Sequence, residues 1–374
     1  MREVARRFHV SLSTVQRWVT RAGRQRLGRI DWSDRPDGQR PALNRYPSKM
    51  EDLVLDVRRK LKETDDLGYY GADAIYRKLR RRKKGRVPCI RTIGRILERR
   101  GALDGLRRHR RPAPPRGWYL PDVAAGRAEL DSFDFIEGLV IKDGPEVQVL
   151  NVTSLHGGLV NAWPTDCGNA STAVDALTEH WRAFGLPSYA QFDNDTRFQG
   201  PHQYPDVVGR VSRVCLSLGV VPVFVPPQET GFQATIENLN GLWQAKVWAR
   251  FHHESLAALR LRSTKYVGAR RRRDAARIES APPRRAFPAS WKLDLQTLPS
   301  GQMIYLRRTN ERGVVSLLGH TFEVDPRWQH RLVRSLVDLD AEVISFFSLR
   351  RSAPAQQLLL LKVPYRLQRA EFRE

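Results

Sequence analysis

Between Ala128 and Phe251 the chain changes its texture in one fixed order, and that order constrains the fold more than any other feature. Three segments, "AELDSFDFIEGLVI", "EVQVLNVTS" and "GLVNAWPT", have the length and apolar content of successive strands. "KDGP", Lys142 to Pro145, is a good hairpin turn between the first two. "NASTAVDALTEHWRAFG", Asn169 to Gly185, then reads as an amphipathic helix with Gly185 at its C-terminal end. "SYAQFDN" comes next as a fourth strand, "VVGRVSRVCLSLG" (Val207 to Gly219) as a helix and "VVPVFVP" as a fifth strand. "TIENLNGLWQAKVWARF", Thr235 to Phe251, is a long helix. Strands joined by hairpins, then strands separated by helices, predict one mixed sheet with flanking helices.

That order, β-β-β-α-β-α-β-α, is the order of a ribonuclease H-like fold, expected over residues 126–262 of a multidomain α/β chain. The flanks differ in character. Over 1–30, "EVARRFHVSLSTVQRWVTRA" (Glu3 to Ala22) reads as two short helices around a tight turn. Ala5, Phe8, Val10, Val15, Trp18 and Val19 would supply its apolar contacts, and Ser11 or Ser13 its N-cap. This resembles a helix-turn-helix with Ser13 to Thr20 in the recognition helix, which would present Ser13, Thr14, Gln16 and Arg17 to DNA. His9 stands where such a turn often has glycine. Residues 31–50, rich in Pro, Gly and Asp, read as a linker. Residues 51–111 read as a second helical DNA-binding unit, with Ile75, Leu79, Ile90, Ile93, Ile96 and Leu97 on buried faces. Arg91, Thr92 and Arg95 would begin its recognition helix. A linker is expected over 112–125, continuing the basic, proline-rich "RRHRRPAPPRG" (Arg107 to Gly117), and a second basic linker over 263–300. Short strands over 301–374 predict a small antiparallel, DNA-binding β-barrel.

The charge narrows the partner. With 64 Lys and Arg against 40 Asp and Glu the formal charge is +24, and it is clustered. Such an excess repels itself unless a polyanion is the usual partner, and nucleic acid is the leading candidate. No apolar run approaches the ~20 residues of a membrane span, and "MREVARRFHV" lacks the apolar core of a signal peptide. A soluble, cytoplasmic protein with no membrane partner is expected. Cys89, Cys167 and Cys215 lie far apart and suggest neither a zinc site nor a disulfide framework.

Within a basic chain the acids at element ends stand out. Asp193 ends the fourth strand, Glu237 lies in the first turn of the long helix, and Asp131 and Asp134 lie in the first strand. Carboxylates converging from separate elements are costly unless a cation neutralises them. Oxygen-only donors suit Mg²⁺ or Mn²⁺. Two such ions about 4 Å apart can clamp the attacking and leaving oxygens of an in-line displacement at phosphorus. Asp131 and Asp134 cannot be equivalent, because an odd separation sends them to opposite faces of a strand. Asp195 reads as support for its loop, His180 and Trp181 as packing in their helix, His252 and His253 as a helix end, and Trp243 and Trp248 as core.

Two motifs carry a resemblance. "FDNDTRF", Phe192 to Phe198, resembles the strand-end motif of retroviral-type integrases and bacterial insertion-sequence transposases, in which an aspartate is followed by Asn, a small residue, Ser or Thr, one variable residue and Phe. "GFQATIENLN", Gly231 to Asn240, resembles their Gly- and Gln-containing loop leading into a helix, where a glutamate is followed three residues on by asparagine. The resemblance carries the second acid onto Asp193, the third onto Glu237 and its neighbour onto Asn240. Asp193 and Glu237 are 44 positions apart, more than is usual in that family, and "QGPHQYPDVVG" (Gln199 to Gly209) accounts for the excess. "SLHGGLV" (Ser154 to Val160) resembles the end of the family's second strand and favours Asp134 over Asp131 as the first acid. The resemblance implies a DDE-type transposase holding two Mg²⁺ (or Mn²⁺) ions on Asp134 (or Asp131), Asp193 and Glu237. It implies binding of double-stranded DNA at terminal inverted repeats and target, 3′-end cleavage and strand transfer, and at least a dimer in the active complex. Lys246, on the helix of Glu237, would touch DNA phosphate. The alternatives are a helix-turn-helix regulator or inactive transposase remnant, and a nuclease acting on RNA–DNA hybrids.

Overall fold

The serines at positions 11 and 13, just after His9, open the first well-formed helix of the chain. A computed structural model describes residues 1–30, 32–33, 46–82, 86–103, 116–201, 204–229, 231–368 and 372. They divide into two units, residues 1–56 and 57–374. In the first, α1 (Arg2–Arg7) and α2 (Leu12–Ala22) are joined through His9, which takes φ +50°, the left-handed conformation that costs glycine least. Ser11 caps α2, its Oγ accepting from the Thr14 amide at 3.1 Å. Ala5 and Val15 are buried, but Phe8, Val10 and Val19 remain 66%, 41% and 50% exposed. Two short helices do not enclose all the apolar residues that their pattern suggests. Most of the expected linker at 31–50 lies outside the described residues, and its last positions belong to α3 (Ser48–Thr64).

In the second unit α4 (Ala72–Arg82) and α5 (Ile90–Arg99) bury Ile75, Leu79, Ile93, Ile96 and Leu97. Ile90 does not join them. As the first residue of α5 it is 44% exposed. The basic stretch from residue 104 to 115 lies outside the described residues. The segment from Arg116 to Ala125 is no linker: Trp118, Leu120 and Val123 are buried around a short helix, α6 (Pro121–Ala124), against the sheet.

The expected central order is present as β1 (Leu130–Val140), β2 (Glu146–Ser154), β3 (Val160–Thr165), α7 (Ala170–Phe184), β4 (Tyr189–Phe192), α8 (Thr196–Gln199), α9 (Arg210–Ser217), β5 (Val221–Phe224) and α10 (Ala234–Trp243). A π-helical turn, Gln244–Trp248, extends α10, and α11 (Leu256–Glu279) comes after it. β1, β2 and β3 pair antiparallel, and β4 and β5 add in parallel beside β1. The pleat sends Phe133, Phe192 and Phe224 to one face, against Trp181 of α7 and Val211 and Val214 of α9. It sends Ile136, Val147 and Val149 to the other, against Ile236, Leu239 and Trp243 of α10 and Tyr266 and Val267 of α11. Among the described residues no helix is long and apolar enough to cross a membrane.

Two sequence expectations fail here. There is no separate C-terminal barrel among the described residues. β6 (Gln302–Arg308) adds in parallel to β5, and β9 (Leu332–Asp338), β10 (Val343–Leu349) and β11 (Leu359–Pro364) continue the same sheet antiparallel, giving nine strands. Only β7 (Val314–Leu317) and β8 (His320–Glu323) stand apart as a hairpin. Met303 to Leu306 is buried throughout, Met303 and Tyr305 on one face and Ile304 and Leu306 on the other. An unbroken apolar run marks a strand covered on both faces. Nor is 263–300 a linker, since α11 runs to Glu279. Its arginines hold it along the edge strand and the turn before it: Arg260 Nε donates to Pro164 O (2.9 Å), Arg271 Nε to Val160 O (2.8 Å) and Arg277 Nη2 to Leu155 O (2.7 Å). A covered edge strand presents no free ladder to other chains.

Because β5 borders β6, a chain ending at residue 300 should lose cooperative thermal unfolding and bind an apolar dye such as ANS. A soluble 1–300 fragment with a sharp melt would show that the C-terminal strands are dispensable to the sheet.

Candidate active site

The pleat of β1 separates the two acids of the first strand, and their surroundings are opposite. Asp131 is fully buried on the α7 face. Arg284, in the segment after α11, grips it with both terminal nitrogens, Nη1 reaching Oδ2 at 3.0 Å, and Trp181 Nε1 donates to Oδ2 at 3.1 Å. Arg284 also donates to Gly185 O, and Arg285 forms a bridge with Leu186, so this segment is fastened to the end of α7. His180 Nε2 lies 3.8 Å from Asp131, but burial pushes its pKa down to about 3 despite that neighbour, so it stays neutral.

Asp134 lies on the other face, opposite Asn151 of β2. In the parallel pairing of β1 and β4, Ser132 stands beside Gln191, and carrying that register two residues on sets Asp134 level with Asp193. Glu237 projects from the first turn of α10, which packs on this face, and is exposed. Asp134 feels both of the other carboxylates. Burial, then the charge of Asp193, and to a smaller extent that of Glu237, raise the Asp134 pKa to about 7, against the pull of its hydrogen bond from Asn240. Asp193 is raised as well, mainly by burial, with the Asp195 amide opposing.

The scaffold beneath the acids is polar and buried. Gln191, two residues before Asp193 on the same side of β4, donates from Nε2 to Ser132 Oγ and to Phe232 O, both at 3.1 Å, and accepts from the Tyr119 hydroxyl. This ties the loop entering α10 to β1 and β4. Asn240 Nδ2 donates to Asp134 Oδ2 at 2.7 Å, and Asn151 Nδ2 donates to Asn240 Oδ1 at 2.8 Å. Asn151 Oδ1 is buried without a hydrogen-bond partner among the described residues. Of these groups the sequence motifs single out only Asn240. Gln191 had a signal in its period-2 spacing from Asp193, whereas Arg284 sits in an arginine- and proline-rich stretch with none.

As placed, no three His, Cys, Asp or Glu side chains among the described residues stand close enough to hold a metal ion. Asp134 is turned onto Asn240, and Asp193 Oδ1 accepts from the Asp195 amide at 3.1 Å. The donor set nevertheless fits a hard cation. It is oxygen-only, and its mutual repulsion is what a divalent ion relieves.

The remaining expected residues divide. On α2, Ser13, Gln16 and Arg17 are exposed and Thr14 is half-buried. On α5, Arg91 and Arg95 are exposed and Thr92 is half-buried. Lys246 is engaged internally instead, with Nζ donating to Gly68 O at 3.0 Å and lying 5.4 Å from the Tyr70 ring centre. Asp195 caps α8 and pairs with Arg197. Trp243 is buried with Nε1 on Ser263 Oγ, and Trp248 stacks on His253.

The chain matches no known family profile and no curated protein. Among solved structures, it is similar to the catalytic core domain of BIV integrase at 17% identity and TM-score 0.28, over 36% of this chain and 80% of that one. It is similar to a simian T-cell lymphotropic virus intasome in complex with PP2A regulatory subunit B56 gamma at 12% identity and TM-score 0.35, over 81% and 95%. It is similar to the HTLV-2 integrase catalytic core domain in complex with magnesium (dimeric form) at 12% and 0.28, over 43% and 88%. Scores this low carry no functional weight, which falls on the residues themselves.

The contrast between the acids has two measurable outcomes. Arg284→Ala should cost about 3–5 kcal/mol, read as a lowered urea midpoint, because it strands a buried carboxylate. Asp134→Asn should cost nothing at neutral pH. The folded chain holds the Asp134 proton more tightly than the unfolded chain does. That contribution to stability is therefore complete below the ordinary carboxylate pKa and is lost as pH rises through about 7. Urea midpoints in EDTA should fall across that window in the wild type and fall less in Asp134→Asn.

Proposed function

We propose that the chain is a DDE-type transposase or integrase that binds the ends of a DNA element, cleaves at the 3′ ends and joins the resulting hydroxyls to target DNA. The observation that carries this reading is the strand register that sets Asp134 level with Asp193 on the face where α10 brings Glu237, with the Asp134 carboxyl raised by burial and by its two neighbours. Asp131 takes no part in it. Its two oxygens are already neutralised by Arg284, and it points to the opposite face.

Asp134, Asp193 and Glu237 would hold Mg²⁺ or Mn²⁺, which when bound supplies an activated water or 3′-hydroxyl and neutralises charge on the reacting phosphate. The protein's own part is positional. Gln191 and Tyr119 fix the entry to α10 and hence where Glu237 starts. Asn240 holds one Asp134 oxygen, so that carboxylate has a set orientation before ligands arrive. The exposed Ser13, Gln16 and Arg17 of α2 and Arg91 and Arg95 of α5 suit contact with DNA edges and backbone. Joining two element ends requires at least two copies of the chain.

The test is cleavage and joining on a labelled duplex carrying the ends that flank this gene, in Mg²⁺ and in Ca²⁺. Wild type should give products in Mg²⁺. Asp134→Asn, Asp193→Asn and Glu237→Gln should each reduce them at least ~100-fold while gel-shift binding persists. Binding without products in the wild type would make the chain a DNA-binding regulator or an inactive remnant. Cleavage of RNA–DNA hybrids in preference to element ends would make it a nuclease of that class.

A further inference from the structure

The parallel strands β4, β5 and β6 all end on one edge of the sheet, the edge at which open α/β sheets bind ligands. Asp193 comes after β4 there, Pro227 lies beyond β5, and Arg307 is the penultimate residue of β6. Between them is a cavity of about 350 Å³, lined among others by Asn194, Tyr204, Pro227, Arg307 and Leu317. That is about the lower bound of small-ligand sites and suits one nucleotide. Asn194 follows Asp193 in the chain, but the pleat carries Arg307 with Met303 and Tyr305 to the α7 and α9 face, so the cavity lies at the strand ends on the face opposite the acids.

Arg307 is the unusual member. It is half-buried, its Nη1 donates to Leu306 O (2.9 Å) and Val225 O (3.3 Å), and its guanidinium lies 5.1 Å from the Tyr305 ring centre. It has no carboxylate partner among the described residues, in contrast to Arg284, Arg197 and Arg308, which pair with Asp131, Asp195 and Glu229. Burial lowers its pKa to about 10, which still leaves it charged at neutral pH. A part-desolvated cation without a counter-ion favours an anionic guest.

The walls are set. Gly200 and Gly209 pinch the base of the 200–209 loop; a Cβ on Gly200 would meet Gly209 Cα at 2.9 Å, and one on Gly209 would meet Gly200 N at 2.7 Å. Asp206 ties the loop to the C-terminal strands, its amide donating to Leu318 O (3.0 Å) and its Oδ1 accepting from Tyr365 (2.8 Å). Tyr204, at the rim, is 64% exposed, an aromatic face with room for a planar group against it.

We infer that this cavity holds one unpaired nucleotide of a DNA strand, its phosphate on Arg307 and its base against Tyr204, at the carboxyl ends of β4, β5 and β6. The inference rests on the DNA reading above for the ligand class but makes its own prediction about binding. Single-strand sites combine a basic contact with an aromatic platform in this way.

The experiment uses the full chain in EDTA, with fluorescein-labelled pentathymidylate read by anisotropy at several salt concentrations. Arg307→Gln should weaken binding about tenfold and reduce the slope of log K against log salt by about 0.7, the value for one phosphate on a single strand. Tyr204→Ala should weaken it about tenfold, and Tyr204→Phe should restore it. Tyr204 is exposed, so its variants test the site even if Arg307→Gln melts early. Wild-type affinity in a folded Tyr204→Ala, or an unchanged salt slope in a folded Arg307→Gln, overturns the subsite. Cleavage is scored separately. Products lost in Glu237→Gln with pentathymidylate binding indifferent to Arg307 and Tyr204 would sink the subsite and leave the transposase reading standing. No cleavage by the wild type, with binding dependent on both residues, would do the reverse.

Discussion

The arrangement of the acid face depends on the ion pair between Arg284 and Asp131 on the opposite face. β1 must carry acids on both sides, because Asp131 and Asp134 are an odd number of residues apart. A fully buried carboxylate is tolerable only with a partner of good geometry, and Asp131 obtains one from a segment more than 150 positions later in the chain. That segment arrives because α11, about 36 Å long for its 24 residues, runs from the end of the π-helical turn along β3 and returns the chain to α7. The strand is thereby anchored on one face while the other keeps carboxylates that repel one another. Neutralisation on the first face and its absence on the second give Asp131 and Asp134 opposite surroundings on one strand.

The positive charge takes on a different meaning beside that ion pair. A formal +24 suggests a uniformly DNA-gripping surface, but many of the arginines are internal fasteners. Arg260 and Arg271 bind carbonyls of β3, Arg277 binds one in the turn before it, Arg284 binds Asp131, and Arg250 donates to the Asp65 carbonyl. A guanidinium suits this work because its planar donors reach several acceptors while its stem packs on apolar surface. Lys246 shows the same use, since its ammonium holds Gly68 and lies over Tyr70. Arg17 on α2 and Arg91 and Arg95 on α5 are exposed instead, with their charge turned to solvent.

The core was legible because its signals are local. Hairpin chemistry at Lys142–Pro145, helix ends such as Gly185, and strand-length apolar runs each report on a few neighbouring residues, and they place Asp193 and Glu237 at element ends where the structure also has them. The errors came where the outcome is decided at long range. The arginines of α11 read as a linker because the carbonyls they meet belong to residues about 100 positions away. The C-terminal strands read as a barrel because strand pairing is invisible to local pattern, although the unbroken run Met303–Leu306 was a sign of two-sided burial. The choice between Asp131 and Asp134 stayed open in the sequence for the same reason: Arg284 gives no local hint of its partner.

Two departures from the expected layout converge on one place. Gln199, Gly200, Pro201, Tyr204 and Val207, from the segment that lengthens the spacing between Asp193 and Glu237, line one wall of the cavity beside Asn194. The opposite wall comes from Arg307 of β6, which joins the sheet, and from the separate β7–β8 hairpin after it. Neither would matter alone, since an inserted loop without β6 would have no cation to face, and Arg307 on an independent domain would have no fixed place opposite that loop. Joining β6 to β5 in parallel aligns the carboxyl ends of β4, β5 and β6, and so makes the position of a C-terminal cation a consequence of sheet register. β6 also packs Ile304 and Leu306 with Val223 and with Phe232 of the loop entering α10, so substitutions that shift the β5–β6 register will reach the face that carries Asp134 as well as the cavity.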